Sequence, residues 1–131
     1  MKTTNIPQGN SPTVINARRA IIEMELSKLK GKDLKCPCLG VTVRIIGNSI
    51  SEIQKWSALS YQSTLAALDI KHQLKIAVFK AKSEPTPQQK KRFKFVVMYE
   101  LKGFCNGKNT KIMVGAKQTG NHIQYCITAN E

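Results

Sequence analysis

RFKFVVMYELKGFCNGKNTKIMVGAKQTGNHIQYCIT, residues 92–128, is the stretch on which the fold turns. Apolar residues recur there at every second position, the period of a half-buried β-strand. Asn106-Gly107 is a strong two-residue hairpin signal, because both central positions of a type I′ turn need positive φ. With that turn, Leu101 faces Ile112, Tyr99 faces Val114 and Val97 faces Ala116. A second turn at Gly120-Asn121 places Val114 opposite Ile127 and Ala116 opposite Tyr125. Both turns then agree on one apolar layer, from Phe93 and Phe95 through Tyr99 and Val114 to Tyr125 and Ile127. A slip of one residue would invert the layer. The other face collects Lys94, Lys102, Lys111 and Lys117 with Met98, Glu100 and Met113, and on the last strand His122, Gln124, Cys126 and Thr128.

Upstream the period changes. Ser11-Pro12 reads as an N-cap followed by proline in the first turn, opening a helix to about Lys30 that buries Ile15, Ile22, Leu26 and Leu29. Gly31 stops it. A hairpin over 34–46 follows, with Pro37 marking an edge strand. Ser49 and Glu52 fit a capping box for a second helix, whose core face is Ile50, Ile53, Trp56 and Leu59. A third helical segment ends near His72. A strand over 74–82, a polar loop over 83–91 and strands over 92–102, 108–117 and 122–128 complete the chain. The expected class is α+β: an N-terminal helix, a short hairpin, helical segments and an antiparallel meander with one open basic face. The organisation is a flexible tail over 1–10 and one domain over 11–131.

Charge narrows the function. The chain of 131 residues holds 21 Lys+Arg against 8 Asp+Glu, a net +13. Residues 71–131 carry 12 basic and 3 acidic side chains, so 12 − 3 = +9 of it. Four cations are arginines (Arg18, Arg19, Arg44, Arg92) and the rest lysines, which suits attraction to a phosphate backbone more than reading of base edges. The partners expected are RNA or another polyanion, or an acidic protein. With 41% hydrophobic residues the chain has enough apolar material for one core. No apolar run reaches the ~18–20 residues of a membrane span. Met1–Asn10 has no apolar stretch of a secretory signal, and a cytoplasmic location is expected. Cys36-Pro37-Cys38 lacks zinc-knuckle spacing, and Cys105 and Cys126 stand apart, so structural thiols without metal, disulfide or cofactor are expected. P-loop, GxGxxG, HExxH and GxSxG motifs are absent from the sequence.

Val41–Ile45 with the helix start at Ser49-Ile50, Lys75–Phe79, Lys91–Phe95, Gly107-Lys108 and Gln124–Thr128 together resemble nuclease-like domains of the barnase–EndoU–colicin–RelE superfamily, the type found in large polyvalent proteins of phages and conjugative elements. The resemblance covers residues 41–128. It implies a sheet whose open face contacts RNA, and an activity as a metal-independent ribonuclease, toxin or effector of a mobile element. Such cleavage needs a base for the 2′-hydroxyl, an acid for the leaving oxygen and a cation for the developing charge. His122 is the acid/base candidate, with Glu84 in the preceding loop as the carboxylate that could reach it. Arg92, Lys94, Lys111, Lys117 and Gln124 are the candidate RNA contacts. Two other readings stay open: a non-catalytic nucleic-acid-binding module, and an adaptor or inhibitor that offers its basic face to an acidic protein.

Overall fold

In the computed structural model, which describes residues 5–130, a curled six-stranded sheet has four helices packed in its inner face and a short fifth on its outer face. The expected tail over 1–10 lies partly outside the described residues. Of its described part, Pro7 and Gly9 are held by Arg18, which donates to both carbonyls, at 3.0 and 2.7 Å.

Helix α1 (Pro12–Ser27) starts as the sequence predicts, with the Ser11 hydroxyl accepting from Val14 N–H, and it buries Ile22 and Leu26. β1 (Asp33–Cys36) and β2 (Val41–Arg44) form the hairpin, joined by a 3-10 turn over Pro37–Leu39 that Gly40 closes at φ +67°. α2 (Gly47–Ser57) begins two residues before the expected cap. Ser49 sits inside its first turn and its hydroxyl accepts from Ile46 N–H, which leaves Glu52 free for another task. The third helical segment is two helices, α3 (Tyr61–Leu68) and α4 (Ile70–Ile76), so the chain is still helical at Leu74 where a strand was expected. β3 (Val78–Ser83) is the sheet edge, exposed at every residue. The polar loop expected over 83–91 contains α5 (Pro87–Phe93), capped by the Thr86 hydroxyl and with the Gln89 side chain reaching back to Thr86 N–H. β4 (Phe95–Cys105), β5 (Lys108–Lys117) and β6 (His122–Ala129) finish the meander.

The strand order is β1-β2-β6-β5-β4-β3. All pairs are antiparallel except β2–β6, which runs parallel for only Val43–His122 and Arg44–Ile123 before the strands part. The first hairpin has the predicted register: Leu101 lies opposite Ile112, Tyr99 opposite Val114 and Val97 opposite Ala116, with Asn106 and Gly107 both at positive φ. The second does not. Its turn is closed by Lys117 and Asn121 with Gly120 at φ +94°, so Ala116 lies opposite His122 and Val114 opposite Gln124. That is a slip of three residues, an odd number, and it turns Ile123 outward. A bulge between Met113 and Val114 then adds one residue and returns Ile127 to the inner face, opposite Ile112. A further bulge between Phe95 and Val97 sends Phe95 outward too.

The sheet consequently has two apolar clusters. The inner one packs Leu101, Ile112, Val114 and Ile127 against α1–α4. The outer one joins Phe93, Phe95, Met98 and Ile123 with Tyr125, beneath α5. Phe93 stacks on Phe95 at 4.8 Å between ring centroids and meets Tyr125 edge-on at 5.2 Å. Gly115 makes this possible: a Cβ there would lie 2.4 Å from the Phe95 ring.

Candidate nucleic-acid interface

α5 covers only one half of the outer face. On the other half, alternation along β4 and β5 brings up Glu100 and Lys102, and Lys111 and Met113, from positions adjacent to Leu101 and Ile112 in the inner core. Lys102 and Lys111 are direct cross-strand partners, and both are exposed. Thr128 of β6 continues the row beyond Lys111. At the sheet edge Lys80, placed outward by the bulge between Phe79 and Ala81, pairs with Glu100 at 3.1 Å. Lys80, Lys102 and Lys111 line a polar depression of about 290 Å³ with Asn109 and Asn130. Lys117 lies on the same face farther along β5, and Lys94 caps α5 in the left-handed region, exposed.

Lys111 also lines a second cleft, of about 350 Å³, with Trp56, Gln89, Met113, Tyr125 and Thr128. The helical spacing predicts Trp56 as core, yet it is 45% exposed. Its partner explains this. The indole N–H donates to Glu52 at 2.9 Å, and Arg92 of α5 donates to the other Glu52 oxygen at 2.6 Å. Glu52 is buried, so this carboxylate clamps α2 to α5 from between the two donors. Burial raises the Tyr125 phenol's pKa; the neighbouring Gln89 amide opposes that rise and the Glu52 charge adds to it. Burial likewise pushes the Cys126 thiol up to about 12, with Glu52 adding and Lys111 opposing. On the inner side, burial and then Cys38 push Cys36 up to about 12. Such thiols are protonated at neutral pH and poor nucleophiles.

The candidate residues named from sequence divide accordingly. Lys111 and Lys117 stand on the outer face, with Lys94 beside it and Arg92 committed to Glu52. Gln124 is not there. It is fully buried, and its amide donates to the Met113 and Cys126 carbonyls, one on each side of the bulge. His122 also faces inward, opposite Ala116, where its ring stacks on Tyr99 at 5.7 Å and Nδ1 lies 2.9 Å from the Gly120 carbonyl. Glu84 follows the edge strand β3, is largely exposed and pairs with Lys90 at 3.4 Å. Three strand spacings, about 14 Å, separate its edge of the sheet from β6. The fold does not bring Glu84 and His122 together. Lys80 and Trp56 are the site residues that sequence reasoning missed; a bulge placed the first and a contact to Glu52 the second.

Among the described residues, no group of three or more His, Cys, Asp or Glu is placed to hold a metal ion. No helix among them is long and apolar enough to cross a membrane. Compared with protein-family models, curated proteins and solved structures, the chain has no match.

Proposed function

We propose that the chain is an RNA-binding domain that holds the phosphate backbone on the outer face of its meander. The observation that carries this is the direct opposition of Lys102 and Lys111, with Lys117 on the same face and Lys80 at its edge. Like charges facing each other across a strand pair disfavour the sheet, and a polyanion laid over the row removes that penalty. Glu100 offsets Lys80, while Lys94, Lys102, Lys111 and Lys117 have no carboxylate in ion-pair contact among the described residues. The preponderance of lysine favours contact with the backbone over reading of bases. The resemblance of residues 41–128 to RNA-directed domains points the same way. The separation of Glu84 from His122 supports binding without metal-free cleavage.

Fluorescence anisotropy of a labelled single-stranded RNA across ionic strength tests this. Four neutralised phosphates give a slope of log K against log salt of about −0.7 × 4, or roughly −3. Replacing Lys102 and Lys111 with Gln flattens the slope by about one to two and leaves the circular dichroism unchanged. An unchanged slope, or no binding at low salt, contradicts the proposal. A protein partner that survives nuclease treatment would instead favour the acidic-protein reading.

A further inference from the structure

We propose that the cleft between Trp56 and Tyr125 receives a nucleobase, so that the domain takes single-stranded rather than duplex RNA. This rests on the RNA reading above and adds a base site to it. Three observations converge. First, an indole that the helical pattern assigns to the core stands 45% exposed over a cleft of about 350 Å³, which has room for a base. Second, both rings are held in place before any ligand arrives. Trp56 is fixed by its bond to the buried Glu52, with Lys55 Nζ 5.1 Å from the ring centroid, and Tyr125 is fixed edge-on against Phe93 and Phe95, at 5.2 and 6.3 Å between ring centroids. A preorganised platform loses little side-chain freedom on binding. Third, Lys111 belongs both to this cleft and to the polar depression with Lys80 and Lys102. A base lying on the aromatic side therefore delivers its own phosphate to the lysine row. In a duplex the bases are stacked inside and cannot enter.

Trp56 is the single tryptophan of the chain, so its emission reports the cleft directly. The titrants are a mixed-sequence single-stranded RNA octamer, a blunt RNA duplex and inorganic polyphosphate, all at low salt. The octamer quenches Trp56 saturably; the duplex and polyphosphate bind the lysines with little quenching. Trp56→Leu weakens the octamer by roughly tenfold and polyphosphate not at all, whereas replacing Lys102 and Lys111 with Gln weakens every titrant. Octamer binding without a change in wild-type emission, or a folded Trp56→Leu protein with undiminished octamer affinity, overturns the base site while leaving the lysine row intact. If the lysine variant binds every titrant as the wild type does, the phosphate reading itself falls.

Discussion

Cys126 shows how one half-buried side chain ties stability to pH. Its thiol lies beneath the Trp56 cleft, and burial first, then the Glu52 charge, hold its pKa near 12 against an ordinary 9.0. A raised pKa means that the folded protein keeps a proton which the unfolded chain releases. The stability linked to it is therefore complete below pH 9 and drains away as pH climbs toward 12. The loss from this residue is about 1 kcal/mol per pH unit in that window. Denaturant titrations from pH 8 to 11 will show the decline, and Cys126→Ala will make it shallower. Identical pH profiles for the two proteins would contradict the assignment. The neighbours of this thiol were not legible from sequence, because Glu52 and Lys111 reach it only through the tertiary fold.

At the scale of elements, α2 and α3 take the place of a missing strand. β6 leaves β2 after two paired residues, which strands the outer carbonyls and amides of its second half. Ser57 of α2 donates its hydroxyl to the Ile127 carbonyl, and Ser63 of α3 accepts from Ala129 N–H at 2.9 Å. Ser57 is wholly buried, so Ser57→Ala leaves the Ile127 carbonyl without a partner or water. The expected cost is about 1–3 kcal/mol by chemical denaturation; a change below a few tenths would show that this contact does not secure β6. The elements also show what a sequence can disclose. The Asn106-Gly107 hairpin was readable because both turn residues adopt the positive φ that their types favour. The second hairpin was not, since its longer turn and the bulge at Met113 answer to packing under α5 rather than to local preference. α5 had a readable signal, Thr86-Pro87 followed by Gln89, a capping box that the surrounding polar residues obscured. Trp56 fitted a core pattern on its own helix, and only Arg92 on α5, 40 residues beyond Glu52, makes the outward position favourable by completing the Glu52 clamp.

Across the whole molecule, charge and apolar surface are sorted by the two faces of one sheet. The inner face carries the main core, and the outer face divides between the aromatic cluster under α5 and the lysine row beside it. The basic meander was legible because Lys102, Lys111 and Lys117 alternate with core residues in a register fixed by one good turn. The last strand was not, because a slip of three residues turned His122 inward and placed Gln124 at a bulge, where burial and two carbonyls hold it. The central claim is that the outer face is where RNA lies, and lysine footprinting tests it in one measurement. The folded protein is labelled with an amine-reactive reagent, with and without single-stranded RNA, and each lysine is quantified by mass spectrometry. RNA is expected to protect Lys80, Lys102, Lys111 and Lys117, and to leave unchanged the labelling of Lys28, Lys71 and Lys75, which line the groove between α1 and α4 on the helical side. Protection of the helical-side lysines with the outer row left open would contradict it.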